Sequence, residues 1–196
     1  EHIPLPSPWK EKRERWKAKK KRTVRRTFES CITAYTTFRE ETGLLYVHFN
    51  KNLSFKKNLT FKDRIGLKHQ ISLEEVDFLV QKRAIPTDTY LLALKREGKL
   101  AEAEKALSSL IAFTVKRAQK GFSDKDPHFI RNFGFIDDRA IELDVGGFFH
   151  DPKKDLHYFE TVEVERIHHK LFPWLEAHYP ELIPHAQKEF KKLKKD

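Results

Sequence analysis

The stretch "RNFGFIDDRAIELDVGGF" (residues 131–148) decides how this chain is read. It holds two short apolar segments, "FGFI" and "AIELDV", separated by Asp137 and Asp138. Paired acids between apolar runs favour a tight turn, so a short β-hairpin is expected here. One acid, Asp144, then stands between Leu143 and Val145 and is followed by Gly146 and Gly147. Two explanations compete. Asp144 can brace a turn that glycine permits, or it can be a carboxylate placed to hold a metal.

The segments before this stretch are helical. Leu100, Ala103, Leu107, Leu110, Ile111, Val115 and Ala118 recur at three/four spacing and predict a long helix closed by Gly121. A shorter helix, capped by Thr87 or Asp88, is expected to end at Gly98. "FSDKDPHF", which carries Asp126, reads as the loop between the long helix and the hairpin. After the hairpin, Val162, Ile167, Leu171, Phe172 and Leu175 predict one helix, and Leu182, Ala186, Phe190 and Leu193 a last one.

Strands precede the helices. Residues 44–49 and 53–55 look extended. Residues 59–73 alternate on both sides of Gly66 and predict a hairpin, and residues 76–84 predict a further strand. At the start, "EHIPLPSP" reads as an extended lead-in, with Ser7-Pro8 opening a helix that Gly43 ends. In that helix Val24, Phe28, Cys31, Ile32, Tyr35 and Phe38 keep helical spacing. Grouped strands followed by grouped helices argue for an α+β fold in two lobes rather than a doubly wound sheet. The expected divisions are residues 1–42 (lead-in and long basic helix), 43–86 (small antiparallel sheet lobe) and 87–196 (mainly helical lobe).

With 39% apolar residues and 16 Phe, the 196-residue chain can bury a core, which excludes a disordered tail protein. The single cysteine, Cys31, excludes an internal disulfide, and its place on an apolar helix face predicts a buried, inert thiol. No apolar run reaches membrane-spanning length, and the expected location is cytoplasmic. The chain opens at Glu1 rather than methionine, which predicts an upstream segment that could carry a signal or membrane anchor.

The net charge of +10 is unevenly placed. Residues 10–26 carry eleven Lys/Arg against two Glu, the last nine residues carry five Lys against two acids, and the rest is close to neutral. The first run admits three readings: a solvated helix face, a helix on an anionic membrane with Trp9 and Trp16 at the interface, or a nucleic-acid contact. Its position beside the start of the chain favours the membrane over nucleic acid. His150, His157, His168 and His169, with Asp151 and Asp155 among them, match no zinc spacing and read as surface or structural residues.

From residue 126 to 147 the sequence resembles the catalytic segment of protein-kinase-like phosphotransferases. That family places an aspartate in a loop after a long helix, then an asparagine, two short strands and a second aspartate followed by an apolar residue and glycine. Here those positions are Asp126, Asn132 and Asp144 in "LDVGG". The resemblance implies that ATP and Mg²⁺ bind, that Asn132 and Asp144 hold the metal, and that Asp126 accepts or orients the proton of an attacking hydroxyl. It also implies a phosphate-gripping strand lysine, which "FLVQKRA" supplies as Lys82, with Gln81 and Arg83 facing the other way.

The sequence departs from the family in several places. There is no Gly-rich phosphate loop, Asp124-Lys125-Asp126 replaces the His-Arg-Asp triplet, and five residues rather than four separate Asp126 from Asn132. Only 44 positions separate Lys82 from Asp126, and no Ala-Pro-Glu signature follows. Two functional classes follow. One is a reduced kinase-like phosphotransferase or a pseudokinase. The other is a non-enzymatic α+β module that binds an anionic membrane or nucleic acid through its basic helix.

Overall fold

Helix α1 (Ser7–Thr37) runs without interruption through the basic segment and into the protein body. In this computed structural model the described residues are 7–49, 56–150 and 156–193. The start of the lead-in, the extended reading of residues 53–55, and Asp151 and Asp155 lie outside them. The described architecture is mixed α+β: the long helix, several two- and three-stranded antiparallel sheets, and a group of packed helices. No described helix is long and apolar enough to cross a membrane.

The first helix ends earlier than expected. Phe38 leaves helical geometry, with φ −131° and ψ 31°, and a four-residue turn, α2 (Arg39–Thr42), follows. Gly43, at φ +63°, then closes the segment in the left-handed region, where a side chain would be strained. Phe38 breaks the helix while burying its ring edge-on against Phe122 and Phe148, at centroid distances of 5.3 and 5.7 Å. Cys31, Ala34, Phe38, Leu44, Val145 and Phe148 form a small core that ties α1 to the segment after Asp144.

Strand β1 (Leu44–His48) pairs antiparallel with β4 (Phe78–Gln81). Strands β2 (Asn58–Lys62) and β3 (Lys68–Ser72) form their own hairpin, turned at Gly66 with φ +88°. Where one small sheet lobe was expected over residues 43–86, residues 44–81 form two separate ladders among the described residues, and residues 85–86 pair elsewhere, with residues 134–135. Every residue of β2 is exposed, so this hairpin has no buried face to hold it against β1. The strand expected at 76–84 shortens to β4, and Lys82 falls just past its end.

The larger core gathers around two helices, α3 (Thr87–Arg96) and α4 (Leu100–Gln119). Leu91, Leu107 and Leu110 are fully buried, each contributing about 1.5–3 kcal/mol relative to exposure. After a π-helical turn at Phe159–Glu163, helices α7 (Val164–His178) and α8 (Ile183–Lys192) close this core with Ile167, Leu171, Leu175, Ala186 and Phe190. A short α6 (Leu156–Tyr158) precedes the π turn.

The rest of the sheet structure lies between these two cores. The segment read as a loop contains strand β6 (Phe122–Asp124) and leads into a helical turn, α5 (Phe129–Asn132). The expected hairpin forms as β7 (Phe133–Ile136) and β8 (Arg139–Glu142), with Asp137 and Asp138 at φ +47° and +61° in the turn. Strand β5 (Ile85–Pro86) adds to β7, and β9 (Phe148–His150) returns to pair with β6. Residues 143–145 leave the sheet after Glu142 and cross from one pair to the other.

Candidate functional site

Asn132 is the hub of the candidate site. It is the last residue of α5, buried, with its backbone N–H bonded to the His128 carbonyl at 2.8 Å. Its side-chain Nδ2 donates to the Asp126 carbonyl at 2.7 Å. Its own carbonyl accepts from Leu143 N at 2.7 Å and from Asp144 N at 3.4 Å. Three residues separated in sequence are therefore joined by backbone and amide contacts. The Nδ2 bond also sets the amide orientation, leaving Oδ1 without a hydrogen-bond partner among the described residues.

The Asp126 carboxylate is bonded to Lys170 of α7. That bond, with help from Asn132, holds the Asp126 carboxyl below its ordinary range. Asp126 N donates to Asp124 Oδ1 at 3.2 Å, and Lys125 N donates to the carbonyl of Gly147, just ahead of β9, at 3.2 Å, so both bonds hold the loop. His128, two residues on, has its Nδ1 buried without a partner among the described residues, and burial together with Lys170 pushes its imidazole toward the neutral form.

Asp144 is exposed, and its Oδ1 accepts the Gly146 N–H at 3.1 Å in a local turn. The turn-bracing reading of Asp144 is thus met by one oxygen, while Oδ2 carries no hydrogen bond among the described residues. Gly147 is required by contact: a Cβ there would lie 2.0 Å from Asp124 Oδ1. Next to Asp144, the Val145 carbonyl accepts a buried 2.6 Å hydrogen bond from Ser30 of α1.

Lys82 is placed elsewhere. Its backbone N–H donates to the Gly43 carbonyl at 2.9 Å, and its exposed side chain lines a concavity of about 500 Å³ with Arg39, Glu40, Leu44 and Arg139. Asp126, Asn132 and Asp144 are not part of that lining. The inward residue is its neighbour Gln81, whose Nε2 bonds the carbonyls of Thr42 and Glu142 at 2.7 and 3.0 Å.

Beneath the site lies a buried charge cluster with no counterpart in the sequence reading. Arg117 of α4 is fully buried and contacts Glu142 of β8 and Glu163 of the π turn. Glu163 also accepts from Ser123 and from Asp124 N. Burial pushes Glu142 well above the carboxylate range and Asp124 upward, with Arg117 opposing both. Burial also opposes the Arg117 charge, but the surrounding carboxylates outweigh it and raise its pKa. Cys31 is buried as expected, and burial followed by the Asp144 charge raises its thiol pKa.

Among the described residues no group of three or more His, Cys, Asp or Glu is arranged to hold a metal ion. His168 instead stacks on Phe172 at 3.9 Å. A cleft of about 610 Å³ opens beside Lys125, lined by Arg26, Ser30, Phe148, His150, Tyr158 and Arg166 among others. Comparison of the chain with protein-family models, curated proteins and solved structures finds no match.

Proposed function

We propose that the protein binds a magnesium–nucleotide complex in a reduced, kinase-like manner, as a phosphotransferase to a hydroxyl acceptor or as a pseudokinase that retains the binding step. The observation that carries this reading is the Asn132 hub, which joins the Asp126 loop to the backbone of Asp144 through three hydrogen bonds. The donor types suit a hard cation: an amide oxygen from Asn132 and a carboxylate oxygen from Asp144, few enough to leave positions for phosphate and water. When bound, Mg²⁺ would supply neutralisation of phosphate oxygens.

The chain's own residues divide the remaining work. Lys170 keeps the Asp126 carboxylate ionised, which suits orienting an acceptor hydroxyl better than holding its proton. Asn132, anchored through Nδ2, presents Oδ1 in a fixed orientation. The concavity that Lys82 lines does not include these three residues, so the reading rests on the trio.

The test is a thermal-shift titration of the full chain with ATP, with and without Mg²⁺. ATP should raise the melting temperature only with the metal, and Asp144→Asn should remove the gain while leaving the unliganded protein folded. Loss of γ-phosphate to water or an added alcohol would then separate transferase from pseudokinase. A folded protein that shows no metal-dependent shift would sink the proposal.

A further inference from the structure

Helix α1 spans 31 residues, about 46 Å at 1.5 Å per residue, yet its core contacts come only from its C-terminal part. From residue 9 to residue 26 every side chain is exposed. This arm carries eleven Lys/Arg against Glu11 and Glu14, and it includes Trp9 and Trp16, which are 62% and 61% exposed. An exposed indole offers apolar ring surface that a partner can cover.

The distribution of charge around the arm identifies what that covering is. An α-helix returns to the same side after 18 residues, which is five turns at about 3.6 residues each. Trp16 therefore lies on the side of Ala34, Arg13 on the side of Cys31 and Lys20 on the side of Phe38. The core-facing stripe of α1 continues outward as Trp9, Arg13, Trp16 and Lys20, with tryptophans and cations interleaved. Lys12 and Lys20 sit over the two rings, 5.7 and 5.2 Å from the centroids. Lys10, Lys17 and Lys21 occupy one flank, and Arg15, Lys19, Arg22 and Arg26 the other.

A helix lying on a membrane keeps an unbroken apolar face toward the acyl chains and its charges on the opposite side. Here Arg13 and Lys20 interrupt the tryptophan stripe and cations point in every direction, so no such face exists. A flexible polyanion can meet cations all round a helix, and its unstacked bases can lie on exposed indoles. At the base of the arm, Arg26 joins Lys125 and Arg166 in the cleft beside β9, where the one acid in the lining, Glu29, is paired with Arg25. The positive track therefore continues onto the body.

We infer that the exposed half of α1 is a binding surface for single-stranded nucleic acid, with Trp9 and Trp16 as stacking platforms and the flanking Lys/Arg on phosphates. This surface is separate from the Asn132–Asp144 pair and does not depend on what binds there.

The test uses the full chain with oligo(U) and oligo(dT) of about 20 nucleotides, with heparin and phosphatidylserine vesicles as the competing polyanions. Binding of an oligonucleotide should quench tryptophan fluorescence and weaken linearly with log salt, at a slope of about −0.7 per phosphate contacted. Trp9→Ala/Trp16→Ala, which preserves every charge, should lower oligonucleotide affinity about tenfold or more and leave heparin affinity unchanged. Both positions lie outside the cores, so an unchanged circular dichroism melt is expected. Three outcomes would overturn the inference: no oligonucleotide binding by the folded protein, full affinity in the double-alanine variant, or tight vesicle binding with tryptophan blue shift and no oligonucleotide response.

Discussion

One guanidinium nitrogen of Arg117 reaches both carboxylate oxygens of Glu142, at 2.7 and 2.6 Å, with both side chains fully buried. The pair does not stand alone, because Asp124 and Glu163 are buried beside it. One cation among three acids would leave excess negative charge in a medium that solvates charge poorly. Burial therefore drives the carboxyls of Glu142 and Asp124 upward, toward the neutral form, with Arg117 opposing both.

Arg117→Leu removes the one cation in contact with these carboxylates among the described residues and strands them. Breaking a buried pair from one side costs about 3–5 kcal/mol, and urea unfolding should report a loss of this size. Glu142→Gln, which replaces a group already biased toward its neutral form, should cost far less. Equal losses in the two variants would contradict the assignment of proton and charge.

The same cluster sets a pH dependence with a definite sign. Glu142 and Asp124 have native-state pKa values above their unfolded values. Their contribution is fully present below the ordinary carboxylate range and is lost as pH rises through the raised values. Unfolding free energy measured near pH 5 and again near pH 8, at roughly constant salt, should fall more steeply for the wild type than for Glu142→Gln. Parallel profiles would show that Glu142 ionises normally in the fold.

Gly147 should not tolerate a methyl group. A Cβ at this position meets Asp124 Oδ1 at 2.0 Å and Cγ at 3.2 Å, and Asp124 is buried and bonded to the loop above it. Overpacking of this kind costs about 1–3 kcal/mol. Gly98→Ala is the control, since nothing lies within 4 Å of its Cβ and only its φ of +69° is strained. Thermal melts should place Gly147→Ala below Gly98→Ala.

Lys170→Ala should act on titration rather than on folding. Lys170 and Asp126 are 36% and 60% exposed, and exposed pairs contribute only about 0–1 kcal/mol. Without the ammonium the Asp126 carboxyl should titrate higher, toward its ordinary value, in a carbon-detected NMR pH series. An unmoved Asp126 would show that the bond is not kept in solution.

The parts of the fold legible in the sequence are those whose signal is local. The hairpin around Gly66, the turn at Asp137-Asp138 and the periodic stripe of Ala103, Leu107 and Leu110 all formed where spacing and turn chemistry placed them. Strand β6 was hidden because three residues show no alternation, and its partner β9 lies beyond the intervening hairpin. Arg117 reads as a solvent-side residue near a helix end. Its partners are 25 and 46 positions away, so nothing near it announces burial. Lys170 carries no local signal for the same reason, being 44 positions from Asp126. The proximity of Asp126, Asn132 and Asp144 was readable only through a motif, whereas strand alternation anticipated that Gln81 and Lys82 would face opposite ways. That alternation turned Lys82 outward, since Gln81 took the inward position.

Ser30, Trp9 and Trp16 belong to one unbroken helix. Ser30 holds the carbonyl of Val145, the residue after Asp144, while Trp16 lies fourteen residues up the same rod, about 21 Å away along its axis. A stiff rod clamped at one end behaves as a lever. Load applied to the outer half is delivered as torque to the clamp, and the clamp here is the polypeptide bend that carries Asp144.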